Sequence, residues 1–152
     1  MSADKKLQEM GITLPTPPQP AGAYTRAVRH GDLVFVAGQL PMTDGKVQYI
    51  GKVGRELSPD DGYAAARLCA LNALSILQAE LGSLDNIVRI VRVAGFVASA
   101  EGFTAQPKVI NGASELLHAV LGERGIHARV AVGVAELPLG AGVEVEVTAA
   151  VE

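Results

Sequence analysis

The longest regular alternation in the chain lies near its C-terminus. From Val143 to Val151 an apolar residue stands at every second position, with Glu144, Glu146, Thr148 and Ala150 between. This is the period of a strand with one buried face. Residues 127–135 alternate in the same way: Ala128, Val130, Val132 and Val134 against His127, Arg129, Ala131, Gly133 and Ala135. The two segments read as a closing hairpin. Their valine faces belong on a helix-covered core, and Arg129, Glu144 and Glu146 fall together on the opposite face.

The same reading extends upstream. The run Ile87–Val97 is rich in β-branched residues and predicts a central strand. Tyr24–Val28 and Leu33–Ala37 flank a turn-rich Arg29-His30-Gly31-Asp32, which predicts a hairpin broken at Gly38, and Val47–Ile50 predicts a short third strand. The clearest helix is Pro59–Leu81. Ser58 is a suitable cap, Pro59 fits the first helical position, Asp60 and Asp61 suit the positive end, and Gly82 stops it. A second helix is predicted over Pro107–Leu121, and Ser99 is expected to cap a short helical turn through Phe103. Residues 3–10 form a short amphipathic helix, followed by an extended Leu14–Pro20 arm. The order ββ(β)αβαββ predicts an α+β fold with helices on one face of a single sheet. The chain divides into residues 1–19, a helix and arm, and an α+β domain over 20–152.

Composition narrows the function classes. At 152 residues with 49% hydrophobic and 19% charged residues, the chain can bury a core. A net charge of −3 and only three Tyr and three Phe give no footprint for nucleic acid. Cys69 stands alone inside a helix and reads as a small buried hydrophobe. The lack of disulfides, of an apolar leader and of a membrane-length apolar run points to a cytoplasmic protein with no membrane partner. His30, His118 and His127 do not have metal-ligand spacing, so no metal is expected.

The polar face of the last two strands has two readings. It is either a solvated face where Arg and Glu pair across strands, or a face packed on another subunit with its charges lining a cleft. In the second case Arg129 suits a substrate carboxylate, because a guanidinium makes two parallel hydrogen bonds. A neighbouring carboxylate could hold a water.

The segment His127-Ala-Arg-Val-Ala-Val-Gly-Val-Ala-Glu-Leu-Pro-Leu-Gly-Ala-Gly-Val-Glu-Val-Glu-Val147 resembles the signature of the RidA (YjgF, endoribonuclease L-PSP) family. That signature is an Arg-led strand, a Leu-Pro turn and a strand with Glu-x-Glu. Upstream, Ala23-Tyr24, Val36-Ala-Gly-Gln-Leu-Pro41 and Asn111 match the family at the expected intervals, so the resemblance spans about residues 20–151.

The resemblance implies a chorismate-mutase-like fold, a homotrimer with intersubunit clefts, and cofactor-free, metal-free hydrolysis of small enamines and imines of the 2-aminoacrylate type to 2-oxo acids and ammonia. It gives Arg129 the substrate carboxylate and Glu144 the attacking water. Tyr24, Asn111, Ala37, Gly38 and Ala131 become cleft residues, and Gln39 a turn residue. His127, which by alternation shares the sheet face of Arg129, reads either as a proton shuttle in the cleft or as a surface residue capping the strand. Glu146 becomes a structural partner. The pattern departs from the best-known type at Ala37, where that type has Ser, at Ala131, where it has Cys, and at Gly133, where it has a charged residue. His127 has no counterpart in that type, and the N-terminal segment and the stretch around Gln106-Pro107-Lys108 also differ. The chain therefore reads as a divergent branch. Two alternatives remain open: a non-catalytic trimer holding a small carboxylate in the same cleft, and the older ribonuclease label, which the charge disfavours.

Overall fold

The computed structural model describes residues 2–152. In chain order it contains α1 (Ala3–Glu9), β1 (Ala27–His30), β2 (Leu33–Gln39), β3 (Met42–Thr43), β4 (Lys46–Val47), α2 (Pro59–Leu81), β5 (Ile87–Ala98), α3 (Gln106–Leu121), β6 (Ala128–Val134) and β7 (Val143–Val151). The long helix starts where its sequence predicts. The Ser58 hydroxyl accepts from Asp61 N–H at 3.0 Å, and the Asp61 carboxylate accepts from Ser58 N–H at 2.9 Å, a reciprocal cap. Gly82, at φ 80°, ends it. Strand β2 is not broken at Gly38. It runs on to Gln39 through a register shift between Val36 and Gln39. No helical turn forms at Ser99. The segment is a turn closed by Phe103 N–H donating to Ala100 O at 3.0 Å, with the Ser99 hydroxyl donating back to Val97 O at 2.8 Å.

Five strands form one sheet in the order β1-β2-β7-β5-β6, and β3 pairs with β4 in a separate small ribbon. The predicted hairpin of the last two strands is absent. β5 lies between them, antiparallel to β7 and parallel to β6. From Val93 to Ala98 strand β5 is apolar and takes a partner on each edge, as a central strand does. The parallel partner requires a crossover, and α3 supplies it.

Helices α2 and α3 cover one face of the sheet. Ile90, Val93, Val97, Val143, Val145 and Val147 on that face pack with Leu74, Leu77, Ile110 and Leu117 of the helices. Ala3 and Leu7 of α1 join the same core. Cys69 is fully buried there, its thiol donating to Val143 O, and burial pushes its pKa well up. The Pro-rich arm lies across the edge of α2 and the β3–β4 ribbon. Together they enclose a cavity of about 530 Å³ lined by Pro15, Pro17, Met42, Leu68, Leu71 and Asn72, well apart from Arg129 in the fold.

The two helices meet at glycines. A Cβ at Gly112 would strike the Tyr63 carbonyl, and one at Gly62 would press on Val109. A backbone carbonyl cannot swing aside as a side chain can, so the crossing depends on Gly112. Gly112→Ala is expected to cost about 3 kcal/mol in urea unfolding, the upper part of the range for an overpacked core.

Candidate active site

Arg129 lies on β6, the last strand of the sheet, paired with β5 on one edge only. Its neighbour across the ladder is Val93, which in turn faces Val147, and both are fully buried. Residues directly opposite on adjacent strands share a face, so Arg129 points to the helix side. There its guanidinium meets one stripe of α3. Nη1 donates to Asn111 Oδ1 at 2.8 Å and to the Ser114 hydroxyl at 3.1 Å, and Nη2 donates to Pro107 O at 3.2 Å. Pro107, Asn111 and Ser114 follow one another at i, i+4 and i+7, the spacing of a single helix face. Because β6 is the edge strand, the side chain covers the rim of the core with its stem and carries its charge outward.

His127 precedes the strand and joins the same cluster. Its Nδ1 lies 2.6 Å from Gly125 O, and its Nε2 lies 2.9 Å from the Ser114 hydroxyl. Burial holds the imidazole pKa below the ordinary 6.5, the Arg129 charge adds to that, and the bond to Gly125 opposes it. The ring is therefore neutral at physiological pH. Ser114 escapes sequence reading because no motif marks it. The signal available was its place three residues after Asn111 on the same helix.

Two expectations are corrected by this arrangement. The valine face of β6 is the open one: Val130 and Val132 are exposed, whereas Ala131 packs against the core. Arg129 and Glu144 consequently stand on opposite faces of the sheet. Glu144 aligns with Phe96 of β5 and Arg129 with Val93. Strand geometry then separates their Cα atoms by about 10 Å along the strands and about 10 Å across two ladders. The sequence reading failed because it paired β6 with β7 directly and put both valine rows on one face.

Glu144 sits on the open face, half-buried, against Gly38 of β2. A Cβ at Gly38 would collide with the Glu144 carboxylate, so the glycine leaves the space the acid occupies. Ala37 is half-buried beside it, and Gln39 turns its amide back to Ala37 O at 2.9 Å. Burial, then the nearby Glu146, raises the Glu144 pKa. Glu146 itself faces Arg92, 3.9 Å away, in an exposed pair. Tyr24 is 55% exposed, its hydroxyl accepting from Ala21 N–H at 3.2 Å, and it is remote from Arg129 in the hydrogen-bond pattern of the single chain. Gly133 lies against the start of α3, where a Cβ would meet Gln106 Nε2 at 2.7 Å. Among the described residues no group of three His, Cys, Asp or Glu side chains is placed to hold a metal.

The candidate groups thus lie in two separate places. One is a cation fixed on α3, and the other an acid whose charge is disfavoured. The raised Glu144 pKa means that folding takes up a proton at pH values between the ordinary carboxylate pKa and the folded one. Stability falls as pH rises through that window, and the penalty persists above it. Glu144→Gln is expected to raise Tm near neutral pH and to leave Tm unchanged well below the ordinary Glu pKa of about 4.3.

Comparison with known proteins gives this geometry a family. Residues 4–150 match the family model described as "YjgF/chorismate_mutase-like, putative endoribonuclease". The chain is 48% identical over 141 residues to Protein TCP17 of Trypanosoma cruzi, covering 92% of this chain and 88% of the relative. It superimposes on the crystal structure of protein Atu1372 from Agrobacterium tumefaciens, of unknown function, with a TM-score of 0.92 and 44% identity, covering 99% of this chain and 92% of the other. Against RidA from an Antarctic Psychrobacter the TM-score is 0.64 at 29% identity, covering 90% and 94%. The drop between the two solved structures sets the chain in a branch apart from that RidA. The chain belongs to the YjgF/chorismate-mutase-like family and has its α+β fold.

Proposed function

We propose that the protein hydrolyses small carboxylate-bearing imines and enamines, of the 2-aminoacrylate type, to 2-oxo acids and ammonia. The observation that carries this reading is the fixed guanidinium of Arg129. Three acceptors from α3 hold it. Its Nε–H and one Nη2–H have no partner among the described residues, and two such donors are what a carboxylate takes. An imine carbon is already electrophilic, so holding the substrate and one water in place supplies most of the catalysis required.

In this reading Glu144 orients the water. Its pKa, raised by burial and by the nearby Glu146, suits a group that holds and returns a proton more readily than an ordinary carboxylate. Since one chain keeps Glu144 and Arg129 on opposite faces, a site using both is assembled between subunits, in a homotrimer of the family's kind. The open sheet face supports such an association, because Val28, Phe35, Val130 and Val132 are exposed on it.

The separation of the two groups also favours a second reading, a trimer that binds a small carboxylate at Arg129 without turnover. RNA cleavage has less support: the net charge is −3, and the imidazole nearest the cluster is half-buried and hydrogen-bonded at both nitrogens.

Imines generated in place by an amino-acid oxidase and trapped with semicarbazide separate the two leading readings. The protein is expected to lower semicarbazone yield by hydrolysing the imine first. Arg129→Ala is expected to reduce that effect about 30- to 100-fold, the loss of a charge-assisted pair of hydrogen bonds. No change in semicarbazone across aliphatic, aromatic and acidic imines, with pyruvate binding still dependent on Arg129, would select the non-catalytic reading.

A further inference from the structure

The polar cluster behind Arg129 has a direction that its chemistry dictates. A backbone carbonyl can only accept a hydrogen bond, so at 2.6 Å from Gly125 O the hydrogen of His127 must sit on Nδ1. The neutral imidazole then has a bare Nε2, which can only accept. The Ser114 hydroxyl, 2.9 Å away, must donate its single hydrogen there. Its oxygen keeps lone pairs, and Nη1 of Arg129 donates to one of them at 3.1 Å. Arg129, Ser114, His127 and Gly125 thus form one chain of hydrogen bonds running in one direction, in which each bond polarises the next.

The chain determines more than the rotamer of Ser114. Nη1 carries two hydrogens, and Asn111 and Ser114 take both. Pro107 O takes one from Nη2. The donors left over are Nε–H and the second Nη2–H. Were the Ser114 acceptor missing, one Nη1 hydrogen would lose its partner, and the long side chain would regain rotamers that cost binding energy to freeze again.

We propose that Ser114 and His127 are positioning residues for Arg129: the imidazole orients the Ser114 hydroxyl, and the hydroxyl locks the guanidinium with its remaining donors turned toward a carboxylate. This rests on the carboxylate-binding reading of Arg129. Around His127 the groups presented are Arg129 from β6, Arg89 from β5, the Ser114 hydroxyl from α3 and the Gly125 carbonyl from the preceding turn. None of these is an acid, so no salt bridge explains why an imidazole is held here. The acceptor nitrogen gives it a use.

Two measurements test this. The first is calorimetric titration with sodium pyruvate. Arg129→Ala is expected to abolish binding. Ser114→Ala and His127→Phe are each expected to weaken it about tenfold, and Ser114→Thr to restore it. The Ser114→Ala/His127→Phe double variant is expected to bind no worse than either single one, because the two residues act as one unit.

The second measurement needs no ligand. Nitrogen-detected NMR of the arginine side chains is expected to show slow rotation of the Arg129 guanidinium in the wild type and Ser114→Thr. Ser114→Ala and His127→Phe should both show fast rotation. If Arg129→Ala leaves pyruvate binding intact, the carboxylate reading fails. If Arg129→Ala abolishes binding while Ser114→Ala changes neither affinity nor guanidinium rotation, the positioning role is overturned and the carboxylate reading stands. Additive losses in the double variant would equally overturn it.

Discussion

Strand β5 is hydrogen-bonded on both edges, and every face assignment in the sheet follows from that. Ile87–Val97 align with β7 on one side, and Arg92–Ala98 with β6 on the other. Val93 therefore fixes both Val147 and Arg129 on the helix side, while Ala94 fixes Glu146 and Val130 on the open side. One strand thus decides that the guanidinium and the carboxylates of the C-terminal region look in opposite directions. Shifting β6 by a single residue would send Arg129 to the open face and bring Val130 and Val132 inward. The contacts of Arg129 with α3 oppose that slip, so the site and the register stabilise one another.

The two candidate groups differ in how the protein treats their charge. On the helix side, acceptors on α3 surround a permanent cation, and the cost of half-burying it is offset by three hydrogen bonds. On the open side, Glu144 has the space that Gly38 leaves, with Glu146 nearby. The first arrangement holds a charge still. The second makes a charge easy to remove. Under the proposed function, binding by Arg129 and proton transfer by Glu144 call for these two different environments.

The open face leaves several large apolar side chains uncovered. Val28 and Phe35 sit opposite one another on β1 and β2, with Thr148 next in the row, and Val130 and Val132 line the far edge. Apolar area of this kind is stabilised by cover. The proposed association of subunits through their sheets would supply it, and would also shield β6, whose outer edge has no partner strand among the described residues.

Local chemistry made much of this legible in advance. Ser58, Pro59, Asp60, Asp61 and Gly82 specify both ends of α2 by capping and backbone preference, which depend on neighbours a few residues away. The alternation of 143–151 correctly placed Val143, Val145 and Val147 inward, and the family signature was readable because it is a pattern of residue types at set intervals. Strand adjacency was not legible, because pairing depends on which edges are left free once the whole sheet is assembled. The alternation of 127–135 said that Arg129 and Val130 face opposite ways. It could not say which way was inward, since valine on an edge strand can face either the core or a partner. Ser114 is marked by no motif, only by its place three residues after Asn111 on the same helix. It became part of the site when the α3 crossover laid one helix stripe over β6. The sequence alone determined the two long helices, the strands around Ile87–Val97, 127–135 and 143–151, and the family. It misplaced β1, which runs over Ala27–His30 and not Tyr24–Val28, and read a third strand at Val47–Ile50 where the short β3–β4 ribbon lies at 42–47. Tertiary structure decided the neighbours and faces of the strands, because those depend on residues brought together from distant parts of the chain.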